Sequence, residues 1–349
     1  MAWPTPKHSK NQVNKAGEIL CQPDPNLNID KLIWAYDVVN HWRSCHGYPI
    51  NTFQATLRNK LATIDSTAFL VQRLKRMPSI IIKLHRFNGM QLVRMQDIGG
   101  LRVVVSSVKK VRDLETNYRN SRFKHELISS KDYINQPKSS GYRSVHLIYR
   151  YSNEQAPSYD GLLLELQIRT KLQHAWATAV ETMGIFLDKA LKSSEGPQSW
   201  LDFFSLTGSA FAHIEKTSPV PGYEALSKED TLAKTMQTAR SLDVKNRLNA
   251  FSIAANHIHQ DKGGGSYHLV ILDTEKKLVR VRSYGRSSLN SASEEYGKIE
   301  KQIKDGEPLQ AVLVSAGSLE NLRRAYPNYF LDTREFVRYL DEIETVFQK

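Results

Sequence analysis

Glu165, Gln167 and Arg169 alternate with Leu164, Leu166 and Ile168, and on a β-strand alternate side chains share a face. A carboxylate, an amide and a guanidinium would then line one side over roughly 13 Å, at about 3.3 Å per residue. A hydrophobic core has no use for such a row, whereas a bound polyphosphate with its metal does. A second polar run, Gly141-Tyr142-Arg143-Ser144-Val145-His146, lies shortly before it. Further upstream, Arg73, Lys75, Arg76, Lys83, Arg86 and Arg94 surround Ser79. If Pro78 opens a helix, Lys83 and Arg86 share a face at i and i+3. A basic cluster of this kind is more often a solvated face. It gains meaning from Asp97-Ile98-Gly99-Gly100-Leu101-Arg102, an acid before a glycine turn and an apolar strand, the sheet end where ligands dock. Read alone, Asp97 also fits the commoner role of a turn-forming aspartate.

The elements that must position these residues form an α/β core. A polar tail to about Asn28 is followed by helical patterns over Ile29–Arg43 and Asn51–Lys75, and Met77-Pro78-Ser79 marks a boundary. Strands are expected at Leu101–Ser107, Val145–Tyr151 and Leu162–Thr170, with helices over Val108–Arg119 and Leu172–Leu187. Ser193-Ser194-Glu195-Gly196-Pro197 and Ser218-Pro219-Val220-Pro221-Gly222 punctuate later helices. From about Gly263 the texture changes to a smaller α+β unit. It has two strands around Asp273-Thr274-Glu275-Lys276-Lys277, a helix, a strand over Gln310–Ser315 and a last helix. That helix is marked by Asp332 as N-cap, Glu335 three later, and Phe336, Leu340, Ile343 and Phe347 on one face. The expected division is a first domain over residues 1–240, with its catalytic core in 70–185, and a second over 241–349.

The chain of 349 residues carries a formal charge of +12. Residues 1–240 hold 32 basic and 21 acidic side chains, so nearly all of the excess lies there. Such a surface suits a nucleotide or RNA, although proteins that bind nothing acidic also show it. The two cysteines, Cys21 and Cys45, can make neither a disulfide scaffold nor a four-ligand zinc site. With no apolar run of about 18 residues and no signal-peptide core, the expected location is the cytoplasm, without a membrane anchor.

The ordered set from Arg73-x-Lys75 through Ser79, Lys83-x-x-Arg86, Asp97-Ile98-x-Gly100-x-Arg102, Pro137-Lys138, Gly141-Tyr142-Arg143-Ser144-x-His146 and Glu165-x-Gln167-Ile168-Arg169-Thr170 to Trp176-Ala177 resembles the synthetase domain of the RelA/SpoT family. The resemblance implies a nucleotidyltransferase-like core, a mixed β-sheet with flanking helices. It implies transfer of the β,γ-pyrophosphate of ATP to a ribose hydroxyl, with release of AMP. On that resemblance Arg73 and Arg102 sandwich the adenine, since a planar guanidinium stacks on an aromatic face. Lys75, Lys83 and Arg86 hold the triphosphate. Asp97 and Glu165 hold Mg²⁺, a hard cation that takes oxygen ligands, and Glu165 doubles as general base. Tyr142 stacks on the acceptor, with Lys138, Arg143, His146, Gln167 and Arg169 around it. Without its motif, Tyr142 reads as a buried core aromatic.

Departures point to an altered acceptor pocket. Ser140, His174 and Val180-Glu181 stand where members taking GDP or GTP usually carry Asn, Asn and Glu-His. His174 and Glu181 lie seven apart on one helical face, and two ligands make a poor zinc site, which leaves contact with substrate or simple surface exposure; with the altered pocket, His174 is expected at the acceptor. No His-Asp dipeptide occurs, so the hydrolase domain of long bifunctional relatives is expected to be absent. Tyr326-Pro327-Asn328-Tyr329 resembles the Tyr-x-x-Tyr motif of the CapRel group of fused toxins and antitoxins. This resemblance implies a toxin that pyrophosphorylates the 3′ CCA end of tRNA. Its C-terminal domain, akin to a zinc finger without metal ligands, would block the adenine site through Tyr326 and Tyr329 until a phage capsid protein binds. Two tyrosines three apart before a helix are, taken alone, more often core packing. The competing expectations are an alarmone synthetase acting on GDP, GTP or adenosine nucleotides, and a catalytically dead RNA-binding module.

Overall fold

The computed structural model describes residues 3–21, 28–187, 191, 194–254, 258–260, 267–273, 275–276, 278–285, 288–315, 330 and 332–347. Helices α1 (Lys10–Cys21), α2 (Ile29–Cys45) and α3 (Gly47–Ile64) come first. The segment read as a polar tail therefore holds a helix, with Val13, Ala16 and Cys21 buried. Asn28 starts α2, its side chain accepting from the Asp30 amide at 2.8 Å. The helical pattern read through to Lys75 is also corrected: α3 stops at Ile64 and strand β1 occupies Phe69–Leu74.

The segment expected to be catalytic continues with α4 (Met77–Arg86), β2 (Gly99–Val105), α5 (Val108–Arg119), β3 (Glu126–Asp132), β4 (Val145–Arg150), β5 (Leu163–Thr170) and α6 (Lys171–Phe186). Then come α7 (Gln198–Glu215), α8 (Lys228–Ser241) and α9 (Val244–Ala254). The remainder is β6 (Ile258–Gln260), β7 (Tyr267–Asp273), β8 (Leu278–Tyr284), α10 (Leu289–Lys304), β9 (Leu309–Ser315) and α11 (Arg334–Phe347). The fold is the expected mixed α/β arrangement, a sheet flanked by helices. Among the described residues, no helix is long and apolar enough to cross a membrane.

The described strands form one nine-stranded sheet in the order β3-β4-β5-β2-β1-β9-β7-β8-β6. Parallel β2 and β5 pair Leu101 with Leu166 and Val103 with Ile168, and antiparallel β4 adds Leu147 and Val145 to those rows. These side chains face the core built with α1, α2, α3 and α5. The opposite face carries the polar row. The strands after α9 extend the same sheet through β9, which meets β1 at Arg73 and Val314. Helix α10 covers Leu269, Ile271 and Ala311 of this extension.

Two buried contacts bind the late segments to the early ones. Glu300 of α10 pairs with Arg43 of α2 at 2.9 Å and accepts from the Met77 amide, the first of α4, at 3.0 Å. Helix α11 inserts Phe336, Leu340 and Ile343 among α6, α7 and α8, with Phe336 against the rings of Phe203, Phe204 and Phe211. It begins at Arg334, one residue later than Asp332 as N-cap requires, and Asp332 accepts from the Arg334 amide at 3.4 Å.

Candidate active site

Strand alternation does what the sequence asks of it. In β5, Leu164, Leu166 and Ile168 are buried while Glu165 and Gln167 are half-buried on the other face. Register sets Glu165 beside Gly100 and Gln167 beside Arg102, and β1 sets Arg73 on the far side of Gly100. The result is a cleft of about 320 Å³, including its solvent-open part, lined by Val71, Arg73, Asp97, Gly100, Leu101, Arg102, Glu165 and Gln167. Gly100 matters as the row without a side chain: it leaves the floor between Arg73 and Glu165 open.

Asp97 sits at the entry to β2. Lys75 donates to its Oδ2 at 2.7 Å and Lys83, from α4, to its Oδ1 at 2.8 Å. Burial opposes charge on this carboxyl, but Lys75 and then Lys83 prevail and hold its pKa at about 2. Burial in turn lowers the Lys75 ammonium, with Asp97 pulling the other way. Arg86 reaches instead to Glu195 at 2.9 Å, in an exposed ion pair.

Glu165 is held differently. His146 Nδ1 lies 2.8 Å from its Oε1, and Gln167 Nε2 donates to its Oε2 at 2.7 Å. Burial works against the carboxylate, yet the hydrogen bond and electrostatic attraction from His146 lower its pKa. With the His146 proton on Nδ1, Nε2 accepts from the Tyr142 hydroxyl at 2.8 Å, a tautomer assigned from the hydrogen bonds. Tyr142 is 6% exposed, and burial raises its pKa. Lys138 lies over the Tyr142 ring at 5.5 Å from its centroid.

The loop before β4 depends on two glycines. Gly141 has φ +92°, and a Cβ there would stand 2.7 Å from the Phe204 carbonyl of α7. A Cβ on Gly208 would stand 2.7 Å from Gly141 Cα, so the loop seats directly on the helix.

Three residues expected at the acceptor lie deeper. Arg143 is buried, bonding Thr217 at 2.8 Å and pairing with Glu215 at 3.3 Å. Glu215 also accepts from Gln173 at 2.8 Å and from Thr170, the cap of α6. Arg143 therefore ties the loop to α6 and α7. Arg169 is buried too and donates Nη2 to His174 Nδ1, while its Nε and Nη1 have no hydrogen-bond partner among the described residues. Burial, then the neighbouring Arg102, pushes its pKa down to about 9. His174 also meets the Phe69 ring edge-on at 5.4 Å. Among the described residues no group of three or more His, Cys, Asp or Glu could hold a metal, so a metal at Asp97 and Glu165 would complete its shell from elsewhere. Tyr326 and Tyr329 lie outside the described residues.

Sequence reasoning missed Tyr133, which packs edge-on against Tyr142 at 5.9 Å and His146 at 5.2 Å. It also missed Glu195, Gly208, Glu215 and Glu300. Tyr133 had a local signal, an aromatic just ahead of Pro137-Lys138. The others had none.

Residues 72–185 match the family described as "Region found in RelA / SpoT proteins". The chain is 33% identical over 112 residues to the GTP pyrophosphokinase YjbM of Bacillus subtilis, a match covering 32% of this chain and 53% of that protein. It is 32% identical over 115 residues to the GTP pyrophosphokinase YwaC of the same organism, covering 30% and 52%. The chain thus spans about half the length of these curated relatives. Among solved structures, it is similar to small alarmone synthetase 1 from Bacillus subtilis bound to pppGpp, with 23% identity, TM-score 0.44, and 53% and 93% of the two chains covered. It is also similar to a GTP pyrophosphokinase family protein from Streptococcus pneumoniae, with 26% identity, TM-score 0.41, and 48% and 85% covered.

Proposed function

We propose that the protein is an ATP pyrophosphokinase that transfers pyrophosphate to the 3′ CCA end of tRNA and so blocks translation. The observation that carries the transfer chemistry is the convergence of Asp97, Glu165, Arg73 and Arg102 on one cleft. In this reading the adenine lies between Arg73 and Arg102, and the triphosphate extends toward Lys75, Lys83 and Arg86. The acceptor hydroxyl attacks the β-phosphorus, the bond from that phosphorus to the α,β-bridging oxygen breaks, and AMP leaves. Glu165 takes the hydroxyl proton. Each oxygen of Asp97 and Glu165 that accepts one hydrogen bond keeps a further lone pair, so the donor set fits Mg²⁺. When bound, the ion would neutralise developing phosphate charge.

The tRNA acceptor is supported by the basic excess of residues 1–240 and by His174, engaged with Arg169 where nucleotide-using members are expected to carry Asn. The control proposed with it is occlusion of the adenine site by Tyr326 and Tyr329, relieved when a phage capsid protein binds the C-terminal region in antiviral defence. The second reading is an alarmone synthetase using GDP, GTP or adenosine nucleotides, favoured by the names of the relatives YjbM and YwaC.

One experiment separates them: incubate the protein with γ-labelled ATP and either tRNA or GDP. Label on tRNA supports the first reading; label on GDP alone overturns it. Substituting both Tyr326 and Tyr329 by Ala should make expression toxic without a phage protein, and the toxicity should vanish when Glu165→Gln is added. A double variant that stays folded and harmless would remove the control.

A further inference from the structure

Tyr142 is only 6% exposed, and its hydroxyl is spent on His146. Its ring also meets Trp176 edge-on at 6.4 Å. The aromatic nearer solvent is Tyr133, half-buried at the end of β3. Its position relative to Tyr142 is fixed by backbone: the Tyr133 amide donates to the Ser144 carbonyl at 2.9 Å, and the Lys138 amide to the Tyr142 carbonyl at 3.2 Å. The two rings stand 5.9 Å apart at 67°. Lys138 is exposed, and its ammonium lies 4.7 Å from the centroid of Tyr133 and 5.5 Å from that of Tyr142.

We infer that Tyr133 and Lys138 form a second base-binding step outside Tyr142, built for the penultimate nucleotide of a single-stranded RNA end. The inference rests on the transfer reading and deepens it by naming the form of the acceptor. Two aromatic steps with a cation between them reproduce the base–phosphate–base repeat of a single strand, which proteins hold by stacking and backbone charge. A lone nucleotide has one base and would use one ring. Lys138 covers the Tyr133 face through a flexible stem, so an incoming base exchanges a cation–π contact for a stacked one. The displaced ammonium is then placed to meet the phosphodiester between the two bases.

The competing role for Tyr133 is packing that merely props Tyr142 and His146. Tyr133→Leu separates the two, because it keeps apolar volume against Tyr142 but removes the ring. Binding is read by fluorescence anisotropy with a labelled RNA ending in ACCA, and by competition with GDP, in the full chain with a non-hydrolysable ATP analogue present. Tyr133→Leu is expected to weaken RNA binding about 5- to 100-fold and leave GDP competition unchanged, while Tyr133→Trp restores RNA binding. Lys138→Gln should flatten the salt dependence of RNA binding by about 0.7 unit of slope. Equal weakening of RNA and GDP by Tyr133→Leu would reveal a propping role and overturn the inference, as would unchanged RNA binding or a parent protein that does not bind the RNA. A parent that binds RNA through Tyr133 yet transfers no label to it would leave the inference standing and defeat the transfer reading instead.

Discussion

Asp97 and Glu165 face one cleft, yet they are held by opposite kinds of partner. Asp97 is clamped by two ammonium groups, Lys75 and Lys83. Glu165 is clamped by an imidazole and an amide. A carboxylate held by lysines is neutralised, and an arriving triphosphate competes for the same lysines, which would release Asp97 to a metal as the nucleotide binds. A carboxylate held by an amide and an imidazole is oriented at less cost to its negative charge, as a group that must accept a proton needs. Under the proposed function, the difference would put the nucleotide side of the cleft at Asp97 and the acceptor side at Glu165.

The assignment breaks most easily at Glu165. Glu165→Gln should lower pyrophosphate transfer by about 10²- to 10⁴-fold, the worth of a positioned general base, with ATP binding and the circular dichroism spectrum preserved. Near-parental transfer by the folded variant would remove Glu165 from the chemistry. Asp97→Asn should also abolish transfer, but with weakened metal-dependent ATP binding in an equilibrium assay.

A third carboxylate, this one fully buried, sharpens the contrast, because Glu300 has a charged partner and no place in the cleft. It pairs with Arg43 and accepts from the Met77 amide at the start of α4. Glu300→Ala leaves Arg43 charged and buried, so it should cost about 3–5 kcal/mol in urea unfolding. Loss of under about 1 kcal/mol would mean that water replaces the carboxylate and that α10 is not anchored there.

His146 tests whether the two sides of Glu165 and Tyr142 are joined. Asparagine can imitate the Nδ1 side of histidine and glutamine the Nε2 side. His146→Phe should lower kcat up to about 10²-fold, the effect of a misplaced group, without changing ATP affinity. His146→Asn should recover much of kcat while KM for the acceptor stays high, because the Tyr142 hydroxyl remains unbonded. Identical behaviour of the Asn and Phe variants would show that His146 only fills space.

How far these positions could be read in advance follows from the range of the physics involved. The polar row of β5 and the place of Asp97 just ahead of a strand were legible because strand alternation and chain punctuation are local, but the expected glycine turn is strand, with Gly99 and Gly100 opening β2. Strand β3 was not, since none of its residues is fully buried and a register shift between Leu127 and Ser129 breaks the alternation. The joining of β9 to β1, and the reach of Glu300 to Arg43, pair residues far apart in sequence and leave no local mark. The most instructive error is β1, read as the end of a helix. Neither glycine nor proline separates Ile64 from Phe69, and the stop is made by a side chain: Asp65 accepts from the Thr67 amide and hydroxyl at 3.0 and 2.7 Å. Its other oxygen accepts from the Ser106 amide and hydroxyl, both at 2.7 Å.

Asp65 completes the comparison as a carboxylate whose hydrogen-bond donors are all neutral, outside the cleft. Burial opposes its charge, but the Ser106 amide, the Thr67 and Ser106 hydroxyls and the Thr67 amide together hold its pKa at about 2 against an ordinary 3.8. A carboxyl lowered on folding contributes stability that is fully present above its unfolded value and is lost as pH falls through its folded value. The window here is therefore from about pH 4 down to about pH 2, and the contribution is on the order of 2 kcal/mol. In urea titrations, the parent should lose about that much more stability than Asp65→Asn between pH 5 and pH 2. At neutral pH the variant should be the less stable protein, because its amide presents hydrogens to the Ser106 donors. Parallel pH profiles for the two proteins would show that four neutral bonds do not hold this carboxyl down. Charged partners, as at Asp97, would then be the stronger means of keeping an acid ionised in this fold.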